Sequence, residues 1–177
     1  MIKPYGIIPP IITPFTEEGK FNEPVYREMV DHLIRDGVHG VFPLGTTGEF
    51  YAVSEDEVRE IFAVTLDAVK GRVPVYGGAT HITTRGTVRL VQVAEEAGVD
   101  AVSVLTPMFV SQTQDEIYQF YKTVAENTSL PSSSTITDPR PTCTSLRQRS
   151  PSSPRSPISS ASRIPPVISP TLRNTSV

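Results

Sequence analysis

The stretch Gly37-Val38-His39-Gly40-Val41-Phe42-Pro43-Leu44-Gly45-Thr46-Thr47-Gly48-Glu49 passes from a helix stop through a short apolar run into a glycine-rich loop. The pattern of its first five residues recurs in Gly98-Val99-Asp100-Ala101-Val102, where another helical run again gives way to an apolar one. A turn from helix to strand that recurs in this way predicts a chain of repeated strand–helix units. Such units are typical of parallel α/β folds.

Four amphipathic runs are predicted to form the helices. The first starts after Asn22, a favourable N-cap, and stops at Gly37. The third is marked by the apolar residues Leu90, Ala94 and Ala97, which are spaced for one helix face. Capping boxes begin the second and the fourth, and their members are Ser54 with Glu57 and Thr113 with Glu116.

Four apolar runs are predicted to be buried parallel strands, and they lie at residues 7–13, 41–44, 73–76 and 102–105. Pro9 and Pro10 confine the first strand to residues 11–13, because proline cannot donate a ladder hydrogen bond. Strand–helix units at a spacing of roughly 30 residues, four in number, make half of a (β/α)₈ TIM barrel. A doubly wound sheet fits the same pattern, because periodicity does not decide whether a sheet closes.

The composition changes after residue 130. Residues 1–130 carry 10 Lys and Arg against 18 Asp and Glu, a net charge of −8, and hold all 11 glycines and all 13 Phe and Tyr residues. Residues 131–177 carry six Arg against one Asp, a net charge of +5, with nine Pro and 13 Ser. A segment without aromatic residues or glycine cannot build a core, so residues 131–177 are predicted to form a disordered tail.

The composition also argues against several classes of protein. No apolar run approaches the ~18 residues of a membrane span, and the apolar stretch near the amino terminus lacks the basic start of a signal peptide. The single cysteine, Cys143, argues against a disulfide framework, and the three histidines are not at ligand spacing. Nothing basic in residues 1–130 indicates nucleic acid. We therefore expect a cytoplasmic protein without a metal, membrane or nucleic-acid partner.

The loop at residues 44–49 is the most informative candidate site. It follows a predicted strand, at the edge where parallel α/β proteins build their sites. Its glycines let main-chain N–H groups approach an anion, and its two threonine hydroxyls are donors suited to a carboxylate. A glycine-rich turn with capping threonines fits equally well. Residues 77–80 and 106–109 end two further strands at this edge, and His81 is either a catalytic residue or a loop histidine.

These motifs together resemble the dihydrodipicolinate synthase/N-acetylneuraminate lyase family. The resemblance covers residues 1–130 and rests on Ile12-Thr13-Pro14-Phe15, Gly45-Thr46-Thr47-Gly48-Glu49 and Thr106-Pro107. It implies the amino-terminal half of a (β/α)₈ barrel, from a class I aldolase that is usually a homotetramer and uses no metal or organic cofactor. In such enzymes a lysine forms a Schiff base with pyruvate, and a tyrosine hydroxyl relays protons.

The resemblance also implies roles for single residues. Thr47 and Gly48 would bind the pyruvate carboxylate, and Thr46 would belong to the catalytic proton relay. The Thr-Thr pair is more similar to the synthases than to the sialic acid lyases, which implies a lyase that condenses pyruvate with aspartate semialdehyde for lysine biosynthesis. Phe109 stands where the synthases usually have a relay tyrosine from the neighbouring subunit, and a phenyl ring cannot pass protons.

The second half of the family is not recognisable after Leu130. No lysine follows Lys122 and no tyrosine follows Tyr121, so the Schiff-base lysine and the catalytic tyrosine are missing and the chain is predicted to be inactive. Taking the third base of each codon with the first two of the next permits V-I-L-Y-N-N across residues 131–137 and G-I-K-D-S-S-G-D across residues 160–168. Both resemble family motifs, so we expect residues 131–177 to be a frameshifted, truncating translation.

Two other functions fit the sequence. Phe109 is compatible with another 2-keto acid aldolase or dehydratase of the family. A non-catalytic half-barrel is the alternative from a different class. Its unpaired edge strand would act only by associating with a partner or a full-length relative.

Overall fold

The structure is a computed structural model that describes residues 4–108 and 111–135. Its helices are α1 (Glu23–Arg35), α2 (Glu55–Val69), α3 (Thr84–Ala97) and α4 (Gln114–Glu126). All four match predicted helical runs, and three of them begin at their predicted N-caps, because such signals act locally. A side chain at each N-cap accepts a hydrogen bond from a first-turn N–H, and these residues are Asn22, Ser54, Thr83 and Thr113. Both predicted capping boxes are present.

A parallel sheet has the strand order β1 (Tyr76–Gly78), β2 (Ala101–Leu105) and β3 (Ser132–Thr135). Isolated parallel bridges join Pro10 to Phe42 and Val41 to Val75, and they continue this order toward the amino terminus. Each segment therefore lies beside the one that precedes it in the chain. A doubly wound sheet reverses its order near the middle, and the described strands do not, so their topology is that of a barrel segment.

The predicted strands are only partly confirmed. Residues 11–13 contain no bridge, so the prediction that proline confines the first strand to them is wrong. The bridge of this run lies at Pro10 itself, because the hydrogen bonds are made by the neighbouring Ile11 N–H and Pro9 carbonyl oxygen. Residues 41–44 contribute isolated bridges at Val41 and Phe42 rather than a strand, because Pro43 has no N–H to donate and Leu44 has a φ of 57°. The third strand is displaced from residues 73–76 to Tyr76–Gly78, beyond Pro74. The fourth is confirmed within Ala101–Leu105.

The helices pack in chain order, α1 on α2, α2 on α3 and α3 on α4. Their apolar stripes face one continuous core, whose largest fully buried side chains are Tyr26, Phe62, Ile11, Leu44 and Ile61. Strand β2 is buried along its whole length, as expected of a strand covered on both faces. None of the helices in the described ranges is long and apolar enough to cross a membrane.

Strand β3 lies in the segment that composition predicts to be disordered from residue 131, so this prediction is wrong for residues 132–135. The Val102 N–H donates to the Pro131 carbonyl oxygen at 3.0 Å, and Ser132 pairs with Val102 and Thr135 with Leu105. Main-chain hydrogen bonds to the edge of β2 thus order residues that carry no apolar strand signal. Residues 136–177, including Cys143, lie outside the described residues.

Candidate active site

Four segments at residues 13–14, 44–49, 78–80 and 106–107 form a rim at the carboxyl ends of the parallel strands. Hydrogen bonds join neighbouring segments of this rim. Gly78 N–H donates to the Pro43 carbonyl oxygen at 2.9 Å, and Leu105 N–H donates to the Thr80 hydroxyl oxygen at 3.0 Å. The edge at which the sequence predicts a site is therefore continuous.

The candidate loop forms a 3₁₀ turn at Thr46–Gly48. Gly48 N–H donates to the Gly45 carbonyl oxygen at 2.9 Å, and Glu49 N–H donates to the Thr46 carbonyl oxygen at 3.2 Å. The Thr46 and Thr47 side chains are exposed, and their hydroxyls make no hydrogen bond to any residue of the described ranges. Two adjacent hydroxyl donors are thus available to a ligand.

The turn rests on the segment that contains Thr13. The Thr13 side chain is buried, and its hydroxyl donates to the Gly48 carbonyl oxygen at 2.7 Å. A Cβ atom added at Gly48 would lie 2.8 Å from the Ile11 carbonyl oxygen. Only glycine therefore allows the two main chains to lie this close.

The entry into the turn is strained. Leu44 is 1% exposed and has a φ of 57°, in the left-handed region that costs a non-glycine residue about 1–2 kcal/mol. Its carbonyl oxygen lies against Gly78, where an added Cβ would overlap it. The surrounding packing thus holds Leu44 in this conformation, which directs the chain into the turn.

Thr80 ties the next part of the rim together, a role that sequence reasoning missed. The main-chain pairing with β2 ends at a hydrogen bond of 3.0 Å from Ala79 N–H to the Ser103 carbonyl oxygen. At the next position along the ladder, the Thr80 hydroxyl oxygen accepts the Leu105 N–H. The side-chain oxygen therefore replaces a main-chain carbonyl and holds the approach to Thr106. The available signal was a threonine two residues after a strand end, and that signal is common in loops.

His81 contributes to the start of α3. Its Nδ1 atom accepts the Thr83 N–H at 3.1 Å, and its ring lies where a Cβ at Gly86 would be. The ring also lines a cleft of about 410 Å³ that includes Phe50 and Tyr51. These contacts favour the loop interpretation of His81. The described part of the chain contains no group of three or more His, Cys, Asp or Glu side chains that could hold a metal ion.

The three predicted site residues lie in one turn. Gly48 is buried and carries the contact to Thr13, whereas Thr46 and Thr47 are open to solvent. Phe109 lies outside the described residues, so its assigned position stays a prediction. The rim as described contains no lysine, since residues 13–14, 44–49, 78–80 and 106–107 include none.

Parallel segments laid side by side in chain order, with polar loops gathered at their carboxyl ends, define part of a barrel-type α/β protein. A sequence profile makes the assignment specific. The chain belongs to the Dihydrodipicolinate synthetase family, whose profile matches residues 3–136. The resemblance predicted from the motifs is thereby confirmed.

Several relatives match the same part of the chain. The 4-hydroxy-tetrahydrodipicolinate synthase of Syntrophus aciditrophicus is 40% identical over 126 residues, which cover 71% of this chain and 43% of the relative. The prophage protein YagE of E. coli K12, crystallised in complex with pyruvate, is 35% identical with a TM-score of 0.70 over 73% of this chain and 43% of YagE.

A lyase of the family matches as well. The N-acetylneuraminate lyase of Mycoplasma synoviae is 28% identical with a TM-score of 0.68, over 73% of this chain and 45% of that protein. The chain thus spans less than half the length of the relatives it matches. The matched part has the same fold in synthases and lyases, so the fold alone does not select between their substrates.

Proposed function

We propose that this chain is the amino-terminal half of a Schiff-base lyase that resembles 4-hydroxy-tetrahydrodipicolinate synthase and condenses pyruvate with aspartate semialdehyde for lysine biosynthesis. The observation that carries the proposal is the Thr46–Gly48 turn, which presents at the carboxyl edge of the sheet two hydroxyls that make no hydrogen bond within residues 4–108 and 111–135. By the same resemblance the intact protein is a homotetramer. The described half supplies the binding side of the site and not the attacking amine.

In the proposed reaction, Thr47 and Gly48 bind the pyruvate carboxylate and Thr46 passes a proton. A lysine amine of the second half attacks the keto carbon of pyruvate, and water leaves as the imine forms. Loss of a methyl proton then produces the enamine carbon that adds to the aldehyde. The hydroxyl of Thr46 is suited to this proton transfer, because a hydroxyl both donates and accepts.

The pairing of β3 supports the frameshift hypothesis. Val102, Ser103, Val104 and Leu105 face residues 132–135 in register. A strand beside the fully buried β2 is expected to be apolar, yet the printed residues are Ser132-Ser133-Ser134-Thr135. The shifted reading supplies V-I-L-Y at these positions, with the tyrosine codon shared by Ser134 and Thr135. Resequencing the coding DNA tests the hypothesis, and an alternate frame without family motifs would reject it.

The chain of 177 residues, without any correction of its reading frame, is expected to form no Schiff base. Treatment with pyruvate and borohydride should leave its mass unchanged, because the described lysines, Lys20, Lys70 and Lys122, are all exposed and none lies on the rim. A stable adduct detected by mass spectrometry would contradict the proposed inactivity.

The proposed carboxylate site is nevertheless expected to bind pyruvate in this chain of 177 residues. Pyruvate should shift the amide resonances of Thr46, Thr47 and Gly48 in a dose-dependent way, whereas acetone, which has the ketone but no carboxylate, should not. Thr47→Val removes one hydroxyl at constant shape and should weaken the response to pyruvate. Equal responses to pyruvate and acetone, or none to either, would reject the proposed carboxylate site.

Phe109 favours a second candidate function. If the relay at this position is absent, the family member would be a different 2-keto acid aldolase or dehydratase, with another aldehyde as its substrate. A chain translated from frame-corrected DNA, assayed with aspartate semialdehyde and with other aldehydes, separates the two candidates. Turnover of aspartate semialdehyde would favour the synthase, and turnover of another aldehyde alone would favour this second candidate.

A further inference from the structure

The hydrogen bond from Thr13 to Gly48 links two rim segments that are 35 residues apart in the chain. The Thr13 side chain is 4% exposed, so this contact is sheltered from water. The hydrogen bonds that Gly48 and Glu49 N–H donate go to Gly45 and Thr46, so they shape the Thr46–Gly48 turn but do not fix its position relative to other segments. A bond from outside the turn therefore contributes strongly to its position.

The segment that holds Thr13 is itself anchored to the strand from which the turn departs. Ile11 N–H donates to the Phe42 carbonyl oxygen at 2.9 Å, and Phe42 N–H donates to the Pro9 carbonyl oxygen at 3.1 Å. The glycine contact between Gly48 and Ile11 then brings the turn back onto this segment. The hydrogen bond from Thr13 therefore ties the turn back to the segment at residues 9–13, and this segment is itself hydrogen-bonded to Phe42 just before the turn.

We propose that Thr13 is a positioning residue for the carboxylate site, because its buried hydroxyl fixes the turn that presents Thr46 and Thr47. This inference rests on the proposed function for the identity of the ligand, but not for the effect of Thr13 on the turn. Thr13 does not touch the ligand. It keeps the two exposed hydroxyls in one arrangement before the ligand arrives, which lowers the ordering cost of binding.

The test compares three variants of the full chain. Thr13→Val keeps the shape and removes the donor, whereas Thr13→Ser keeps the donor. Thr65→Val is the matched control, because Thr65 is also buried and its hydroxyl donates to the Ile61 carbonyl oxygen at 2.6 Å, within α2. It removes the same group from a place remote in sequence from the turn.

Two measurements are made on each variant. Amide hydrogen exchange reports the opening of the turn at Gly48 and Glu49, and the amide shifts of Thr46 and Thr47 report pyruvate binding. Thr13→Val should speed exchange at Gly48 and Glu49 by on the order of tenfold and weaken the pyruvate response, because the Gly48 carbonyl oxygen loses the buried hydroxyl that donates to it. Thr13→Ser should retain both the slow exchange at Gly48 and Glu49 and the pyruvate response. Thr65→Val should leave both of these measurements unchanged.

The outcomes separate this inference from the proposed function. Unchanged exchange at Gly48 and Glu49 in Thr13→Val, or an equal change in Thr65→Val, would overturn the positioning role. So would a faster-exchanging turn that binds pyruvate as well as the unaltered chain does. If the unaltered chain shows no pyruvate response, the proposed function and the ligand assigned to the turn are both rejected, while the exchange data still decide whether Thr13 positions the turn.

Discussion

At the scale of single residues, the Tyr26 hydroxyl is a polar group fully enclosed between α1 and α2. It lies 2.9 Å from the Thr65 hydroxyl oxygen, and Thr65 in turn donates to the Ile61 carbonyl oxygen. Burial raises the pKa of Tyr26 to about 12, because a phenolate would be deprived of water there. Ionisation of Tyr26 at alkaline pH is therefore expected to destabilise the packing of α1 against α2.

Tyr26→Phe is expected to flatten the alkaline decline in stability. An exposed tyrosine ionises near its ordinary pKa of 10, so between pH 10 and about 12 the unfolded chain has lost the Tyr26 proton that the folded chain retains. The free energy of unfolding should therefore fall with pH by up to about 1.4 kcal/mol per pH unit from this group, an effect that fades as the pH falls below 10.

Urea unfolding from pH 8 to pH 12 measures this slope. Tyr76 and Tyr121 also have raised pKa values, mainly through burial, and remain in the variant, so the slope should decrease rather than vanish. Tyr51→Phe is the control, because it removes the same hydroxyl from a side chain that is 66% exposed. Equal slopes in the Tyr26 variant and the unaltered chain would contradict the coupling.

The candidate site shows which residues a sequence can reveal. Thr46, Thr47 and Gly48 are adjacent in the chain, so their motif is visible directly. The contact from Thr13 joins residues 35 positions apart, and a threonine before a proline has many alternative roles. The same holds for Thr80, whose partner Leu105 lies on the next strand. Residues that brace a site from another segment become visible only in the folded chain.

At the scale of elements, helices were predicted more accurately than strands. The box of Ser54 and Glu57 is local, and hydrogen bonds from Ser54 lower the pKa of the Glu57 carboxyl, as expected of a charged cap. Strands depend on neighbours. Residues 41–44 are apolar but are limited by Pro43, whereas β3 is polar and pairs because β2 offers it an edge. An apolar run therefore predicts that a segment is buried, whereas the neighbouring segment determines whether it forms a hydrogen-bonded strand.

Gly78 at the end of β1 is expected to tolerate no side chain. An added Cβ would overlap the carbonyl carbon and oxygen of Leu44, and this oxygen belongs to main chain that is already strained. Gly78→Ala should lower the free energy of unfolding by about 1–3 kcal/mol, the usual cost of overpacking, and displace the Thr46–Gly48 turn.

The neighbouring glycine provides the control for this prediction. At Gly77 an added Cβ would meet the Phe62 ring at 3.0 Å, and a ring edge moves more easily than main chain. Urea unfolding of both variants should therefore show a larger loss for Gly78→Ala than for Gly77→Ala. A loss at Gly78 no larger than at Gly77 would show that the Leu44 carbonyl can shift without much cost.

At the scale of the whole molecule, the two charge balances divide the chain close to the point where the family profile ends. Residues 1–130 carry −8 and residues 131–177 carry +5, and the profile match stops at residue 136. The carboxylate of Glu95 on α3 secures the last turn before β3 through Ser129 and Thr128. The part of the chain before residue 130 therefore holds the start of β3 beside β2, although the residues that follow differ from it in composition and charge.

Translation of the shifted frame from codon 131 onward is expected to convert this half into a larger cooperative unit. V-I-L-Y would replace Ser132-Ser133-Ser134-Thr135 beside β2, and the following residues would cover that edge. Since the urea m-value scales with the surface exposed on unfolding, it should rise relative to the printed chain. Pyruvate with borohydride should now yield an adduct on the lysine whose codon straddles Ser162 and Arg163, and arginine at that lysine should abolish it. An unchanged m-value together with no adduct would mean that residues 131–177 do not derive from a family sequence.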